Sequence, residues 1–336
     1  MRTGEQVLVT GSAGHLGEAL MRSLRGAGSR AIGVDRVRSP YTDVVGSITD
    51  PELVRRCLEG VTSVLHTASL HKPHIATHGR QAFVDANITG TLNLLDEAAR
   101  AGVGSFVYTS TTSTFGRALT PPPGGPAAWI TEEVAPVPKN IYGVTKVAAE
   151  DLCAIAHKNQ GLPCVVLRTS RFFPEPDDDP SARAAYPDAN LKTNELLNRR
   201  VDIEDVVSAH LLALERAPAL GFQRYIVSAT TPLLREDAER LRADAPAVVR
   251  ERVPGWEAVY SRIGWRMSPS IDRVYDNARA RADLGWRPRH DFATVLARLA
   301  AGGPIGSELG REVGAKGYHG EQHKGGLYPV ARDGDV

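Results

Sequence analysis

Tyr142 and Lys146 stand four residues apart in Tyr142-Gly143-Val144-Thr145-Lys146. On a helix that spacing puts both side chains on one face, about one turn apart. A free phenol has a pKa of roughly 10, and a nearby ammonium lowers it by stabilising the phenolate. Such a pair can take a proton from a substrate hydroxyl, or return one, while a cofactor handles the hydride. An incidental pair on an ordinary amphipathic helix is the plainer reading. The upstream sequence decides between them.

The pair needs a scaffold that brings a dinucleotide to it. Gln6 to Thr10 is a short apolar run that stops at Gly11-Ser12-Ala13-Gly14-His15-Leu16-Gly17. A periodic helix follows over about Leu16 to Arg25. In a strand–turn–helix context the glycines allow a tight turn and let backbone approach a pyrophosphate at the helix N-terminus. A second strand, Ala31 to Val34, ends at Asp35, 18 residues past Gly17. A carboxylate there can accept hydrogen bonds from both adenosine ribose hydroxyls and repels a 2′-phosphate, which favours NAD over NADP. Arg36 follows directly and can pair with such a phosphate, so it works against that preference.

Val61 to His66 reads as the next strand, and Thr67-Ala68-Ser69 leave room for a cofactor at its end. His71 and Lys72 are read as lining the mouth of the site. His74 and His78 have a metal-ligand spacing but no acidic partner of the H-E-x-x-H kind, and no metal is assigned. A long helix is expected over about Gln81 to Ala101. Ser105 to Thr109 forms a strand, followed by the hydroxyl cluster Ser110 to Thr114 at a position where open α/β sheets bind ligands. Arg117 to Asn140, with six prolines and Trp129, is expected to be an ordered loop over a pocket. The Tyr142 helix runs to about Asn159, and Cys164 to Arg168 is a further buried-type strand. This alternation predicts an α/β fold, a Rossmann-type doubly wound parallel sheet with a smaller C-terminal substrate lobe. Residues 1–170 would form the cofactor domain. Asp202 to Ser228 would return to it as helix plus strand, and residues 171–336 would mainly form the lobe. Glu236 to Arg242 and Arg273 to Leu284 read as lobe helices. A Gly-rich tail runs from about Gly302; its His319 and His323 are read as part of a flexible tail or subunit arm.

Composition bounds the rest. The 336 residues are 42% hydrophobic, with Lys+Arg 40 against Asp+Glu 39. A formal net charge of +1 gives no electrostatic case for nucleic acid or an anionic membrane. Cys57, Cys153 and Cys164 are few, odd in number and scattered, which fits a reducing compartment. No apolar run approaches the roughly 20 residues of a membrane span. Strand residues begin almost at the N-terminus, leaving no room for a signal peptide, and a cytoplasmic location is expected.

Together these motifs resemble the extended branch of the short-chain dehydrogenase/reductase superfamily, the NAD-dependent epimerase/dehydratase family that includes UDP-glucose 4-epimerases. The shared features are Thr10 to Gly17, Asp35, His66 to Ala68, Asn87 to Thr91 and Tyr142 to Lys146. Val201 to Val206 resembles a Val-x-Asp-Val segment, and Leu284-Gly285-Trp286-Arg287-Pro288 a Leu-Gly-Trp-x-Pro close. The similarity covers about residues 5 to 300.

The resemblance implies that Tyr142 is the acid/base, that Lys146 lowers its pKa and holds the nicotinamide ribose, and that Thr111, five residues before Gly116, is the catalytic hydroxyl. It implies an NAD site built from Gly11, Ala13, Gly14, His15, Leu16, Gly17, Asp35, Arg36, Ser47, Ile48, Thr67, Ala68, Asn87, Thr109 and Thr169, together with Tyr142 and Lys146. Ser47 stands where the family usually has an adenine-contacting Asp. Dimerisation through the Gln81 and Tyr142 helices is likewise implied by resemblance.

Departures narrow the chemistry. Dehydratases and decarboxylases of the family place Asp or Glu just after the catalytic Thr; here Thr112 and Ser113 follow. That argues against dehydration and decarboxylation. Epimerisation or net oxidation/reduction of a sugar, nucleotide sugar, sugar acid or polyol is left, beside a non-catalytic NAD(P)-sensing role on the same fold. Arg171 replaces an Asn common in nucleotide-sugar members. It can bind a phosphate or carboxylate, or form an ion pair with Glu175 or Asp177 to Asp179. Arg199 and Arg200 are further candidates for an anionic substrate group, or helix-end cations. Thr112 is counted with the substrate side.

Overall fold

The computed structural model describes residues 5–317. Its central sheet contains seven parallel strands: β1 (Gln6–Thr10), β2 (Arg30–Asp35), β3 (Val44–Val45), β4 (Ser63–His66), β5 (Ser105–Thr111), β7 (Cys164–Thr169) and β8 (Phe222–Val227). Their order is β3-β2-β1-β4-β5-β7-β8. From β1 the chain builds outward in one direction and then, from β4, in the other. The order therefore reverses between β1 and β4, and a crevice opens at their carboxyl ends.

Alternation along each strand covers the sheet on both faces. Val7, Val9, Leu65, Val107, Val165 and Leu167 pack with helices His15–Gly26 and Ile203–Leu220. Leu8, Val64, Phe106, Tyr108, Cys164 and Val166 pack on the opposite face with Pro51–Cys57, Gly90–Arg100 and Ile141–Gln160. Neighbouring residues of a strand point to opposite faces, so a strand buried on both sides must be apolar at every position. That is why these strands read as continuous apolar runs.

The Asp202 to Ser228 stretch forms the helix Ile203–Leu220 and then β8, which pairs with β7. Trp286 is fully buried, and its Nε1 donates to Asp205 O (3.1 Å) and Ser208 Oγ (2.9 Å). Asp205 in turn accepts the backbone N–H groups of Arg289 and His290. The Leu-Gly-Trp-x-Pro close is thus docked onto the start of the returning helix.

Two expectations need correction. Arg273 to Leu284 is not one helix. Arg273–Tyr275 is strand β9, followed by helix Ala278–Leu284. It pairs in parallel with β6 (Ala128–Ile130), which lies inside the proline-rich stretch read as a loop. Three residues are too few for periodicity to show. The helix expected over Gln81 to Ala101 is also interrupted, by a π turn at Val84–Thr89. A further hydrophobic cluster gathers residues between Ala127 and Leu299, and in it Tyr260 packs edge-on against Trp256, Trp265 and Phe292. His319 and His323 lie outside the described residues.

Candidate active site

The dinucleotide turn leaves β1 at Thr10. Gly11 has φ 74°, in the left-handed region that favours glycine, and its N–H donates to Val34 O at 2.8 Å. A Cβ on Gly11 would lie 2.8 Å from both Ala68 N and Thr67 Oγ1. Thr67 and Ala68 therefore press directly against the turn, with Thr67 Oγ1 donating to Thr10 O at 2.7 Å. A Cβ on Gly17 would lie 1.9 Å from Gly11 O. Gly14 caps helix His15–Gly26 without any side-chain cap, so the first-turn N–H groups face the crevice uncovered. Leu16 is buried beneath it.

Asp35 ends β2 beside this turn. Its Oδ2 accepts from Ala13 N (3.0 Å) and its Oδ1 from Val37 N (2.9 Å). Arg36 next to it is exposed. Ser47 follows β3 and is hydrogen-bonded to Thr49, while Ile48 is buried against Gly90. His15 stacks on Phe172, with ring centroids 5.9 Å apart.

Four elements converge on Tyr142. Asn140 caps the helix Ile141–Gln160 through Gly143 N (3.1 Å), which fixes its start one residue before Tyr142's neighbour Ile141. Thr111, the last residue of β5, accepts from Ser113 N through Oγ1 (3.1 Å) and lies close enough to Tyr142 to favour its phenolate. With its oxygen held by that N–H, the Thr111 hydroxyl proton is free to point at the phenol. Lys146 Nζ donates to Thr109 O at 2.7 Å and lies 4.2 Å over the Tyr108 ring. Asn87, in the π turn, accepts from Leu70 N (2.8 Å) and Ser69 Oγ, and donates to Leu70 O and Thr145 Oγ1. All four of its hydrogen-bonding positions are used, and it ties the end of β4 to the Tyr142 helix. His71 packs its ring 6.0 Å from that of Tyr142. Thr112 is buried just behind Thr111, and Thr169 Oγ1 donates to Ser110 O on the neighbouring strand.

The electrostatics differ from the expectation in one respect. Burial pushes the Tyr142 phenol up to about 12, against the lowering effect of Thr111. Burial likewise holds Lys146 down at about 7, opposed by Glu150 one turn further along. Lys146, whose Nζ donates to Thr109 O, adds no lowering of its own to the phenol.

Two residues of the site, His210 and Glu150, carried no local signal in the sequence, and the contacts of His66 were equally hidden. His210, on the returning helix, has Nδ1 2.8 Å from Val206 O, which can only accept. Nδ1 thus carries the proton, and Nε2 accepts from the Thr109 hydroxyl at 2.8 Å. Glu150 is buried behind Lys146, paired with Arg168 (2.7 Å) and accepting from Ser110 Oγ (2.5 Å). His66 bridges Thr10 Oγ1 (2.7 Å) and Thr91 Oγ1 (2.9 Å). These contacts join residues far apart in the chain, which spacing alone cannot reveal.

Burial lowers His15 and His210 to about 4 and His66 and His71 to about 3. Their folded values lie below the free value of about 6.5, so the unfolded chain binds more protons between the two. Stability they provide is complete above pH 6.5 and falls as pH drops below it. Each should cost about 1 kcal/mol per pH unit, and urea melts at pH 7.5 and 5.5 should show it. An unchanged midpoint would contradict the neutral buried imidazoles.

The candidate substrate cations are all placed in ion pairs. Arg171 pairs with Asp177, Asp178 (2.7 Å) and Glu195 (2.7 Å), not with Glu175. Arg200 Nε meets Glu195 at 2.7 Å and its NH1 donates to Phe173 O. Arg199 also meets Glu195, at 2.9 Å. Burial alone would raise the Glu195 carboxyl, but Arg200, Arg171 and Arg199 bring it down to about 2. Lys72 Nζ is 2.7 Å from Asp178. His74 Nδ1 accepts from His71 N, and His78 Nδ1 lies against Thr77 Oγ1.

The residues present fit a bound dinucleotide. The glycine cradle would be filled by any Cβ, and the buried side chains of His15 (both ring nitrogens) and Ser170 (Oγ) have no hydrogen-bond partner among the described residues. Such orphaned groups at a strand-end crevice call for a ligand. Residues 7–227 match the family model described as NAD dependent epimerase/dehydratase family. The 3β-hydroxysteroid dehydrogenase/Δ5→4-isomerase of Mycobacterium tuberculosis is 28% identical over 329 residues, covering 84% of this chain and 86% of that protein. The UDP-glucose 4-epimerase of Lactobacillus helveticus is 25% identical over 320 residues, covering 85% of this chain and 93% of that protein. In fold, the chain is similar to a short-chain dehydrogenase/reductase superfamily protein from Agrobacterium tumefaciens solved with bound NAD. That match has a TM-score of 0.64 and 23% identity, over 88% of this chain and 96% of that one. No helix among the described residues is long and apolar enough to cross a membrane. The chain belongs to the NAD-dependent epimerase/dehydratase family, and is an NAD-dependent oxidoreductase of that type.

Proposed function

We propose that this protein oxidises a secondary alcohol, or reduces the matching ketone, in a small molecule that carries no diphosphate. One observation carries the reading. Tyr142 and Thr111 stand together at the strand ends with no carboxylate at Thr112 or Ser113, while Arg171, Arg200 and Lys72 are all spent on carboxylates. The first half supplies one proton site, enough for hydride chemistry at a single carbon. The second leaves these cations balanced within the protein, where a nucleotide pyrophosphate would have to break an ion pair to be held.

In this reading the substrate hydroxyl sits between Tyr142 and Thr111. Tyr142 takes its proton in oxidation and returns one in reduction. Thr111, steadied by Ser113 N, donates to the oxygen as carbonyl character changes. Lys146, fixed by Thr109 O, would hold the nicotinamide ribose beside the phenol. Bound NAD supplies the hydride acceptor or donor, held by the glycine turn and Asp35. The preference for NAD rests on Asp35 occupying the ribose position with Arg36 turned out to solvent. Residues 171–317 would supply most of the substrate side.

The same active centre serves an epimerase if the keto intermediate is held and turned over, and the likeness to the Lactobacillus helveticus enzyme favours that second reading. Freshly purified protein should be acid-extracted for NAD(H), then offered sugars, sugar acids, polyols and sterols with NADH appearance as the readout. Net NADH formation with one of these supports the proposal. Interconversion of a UDP-sugar, with near-stoichiometric NAD retained and no net NADH, would sink it. A homodimer belongs to this reading. Leu92, Val144 and Ile155 are 40%, 49% and 53% exposed on helices Gly90–Arg100 and Ile141–Gln160, an apolar surface that a second copy would cover. Light scattering should give twice the 36.2 kDa chain mass; a monomer would exclude it.

A further inference from the structure

The chain's last described stretch crosses back to the dinucleotide turn. Helix Glu308–Val313 packs on helices His15–Gly26 and Ile203–Leu220, with Val313 buried in the same core as Leu16 and Leu20. Residues 314–317 then join the first turn of helix His15–Gly26 to the segment that follows β7. On one side, Lys316 Nζ is 2.5 Å from Glu18 Oε2, and Glu18 stands four residues after Gly14 in the pyrophosphate helix. Glu18 is buried and also holds Arg22 at 2.9 Å. On the other side, the N–H groups of Lys316 and Gly317 both donate to Glu175 Oε1 at 3.2 Å. Glu175 lies six residues past Thr169, the end of β7, and is 94% buried by its 6% exposure. Its Oε2 has no partner among the described residues.

These contacts make a bridge. One foot stands on the helix whose N-terminus meets the pyrophosphate, the other on the segment that leaves the sheet beside Thr169. A dinucleotide lying across the strand ends passes between those feet. Both feet are carboxylates gripped by one short segment, and the segment itself has left-handed glycines at each end, Gly314 (φ 61°) and Gly317 (φ 69°). Such positions are where a backbone can swing with little strain. Lys316 is about one-third exposed while Glu18 is buried, so water reaches the contact from the lysine side when it opens.

We propose that residues 314–317 are a strap over the NAD site, latched by Lys316, and that the strap must lift for NAD(H) to enter or leave. The inference rests on the NAD reading of the crevice. It makes cofactor exchange, rather than chemistry, the process this segment sets.

The test uses the full chain and NADH itself. NADH association and release are followed by stopped-flow fluorescence, with excess NAD as the chase, for the wild type, Lys316→Met, Lys316→Arg and, as a control, Lys158→Met. Lys316→Met should speed both association and release, release by about tenfold, as expected when a closing contact is lost. Lys316→Arg should restore slow exchange, and Lys158→Met, on the exposed end of helix Ile141–Gln160, should release at the wild-type rate. Unchanged release in Lys316→Met overturns the strap while leaving NAD binding intact. Slower association with unchanged or faster release also overturns it, since that is the mark of a lysine that only attracts the pyrophosphate. A wild type that binds no NADH overturns the NAD reading itself, and the strap with it. Thermal melts confirm that each variant is folded.

Discussion

Tyr142→Phe is expected to lower turnover by about a thousandfold, within the range that general acid–base groups contribute, and to leave NAD affinity within about twofold. The phenyl ring keeps the packing against His71 and removes only the oxygen that Thr111 meets. The contacts that would carry the dinucleotide, at Gly11, Gly17 and Asp35, lie at the other end of the crevice. The pH profile of the wild type gives a second handle. Burial keeps the phenol protonated up to about 12, so the base form grows as pH rises. Alcohol oxidation should therefore accelerate as pH rises, while ketone reduction, which needs the protonated phenol, should hold steady up to about pH 12. Steady-state kinetics in both directions, beside NADH fluorescence titration, would show this. Normal turnover by Tyr142→Phe would remove Tyr142 from the chemistry.

Gly17→Ala should weaken NAD binding by at least about a hundredfold, with some loss of stability. The added Cβ would meet Gly11 O at 1.9 Å, Gly11 C at 2.6 Å and Ser12 Cα at 2.9 Å. All three are backbone atoms of the turn, so no side chain can rotate away to relieve the clash. Either the turn moves off β1 or the helix moves off the sheet, and both displace the N–H groups that face the pyrophosphate. By contrast, a Cβ on Gly28 or Gly60 meets nothing within 4 Å. NADH titration of Gly17→Ala beside its melting curve would measure both effects. An unaltered dissociation constant would mean that the cofactor does not use this turn.

Much of the fold was legible because a parallel sheet buried on both faces writes itself as apolar runs. Gln6–Thr10 and Cys164–Thr169 are such runs, each followed or preceded by a glycine signal. Asp35, Asn87, Thr111, Tyr142 and Lys146 are read from their offsets to motif glycines, strand ends and helix starts, and the structure places Asp35 at the end of β2, Thr111 at the end of β5 and Tyr142 in the first turn of its helix. β6 and β9 were not, since three residues carry no period and their pairing joins Ala128 to Arg273. His210, Glu150 and Arg168 were hidden for a related reason: a buried hydrogen bond leaves no mark on local sequence. The two possible fates of Arg171, ligand or ion pair, are identical in sequence. They separate only when Glu195, a lobe residue, is placed beside it. The raised Tyr142 value likewise depends on how deeply the phenol lies, which spacing does not report.

The pairing of β6 with β9 has a bearing on how the molecule comes apart. β6 leaves the middle of the dinucleotide half and β9 arrives from near the other terminus, while β8 crosses the opposite way to complete the large sheet. The chain is laced rather than strung, so a cut near residue 170 would strip a strand from each part. Melting should then be a single cooperative transition monitored alike at Trp129 and Trp286. Ligand bound at the glycine turn would raise the midpoint of the entire molecule by mass action. Such lacing also makes assembly late, because the strands that close each sheet are made long after their partners and must wait for them.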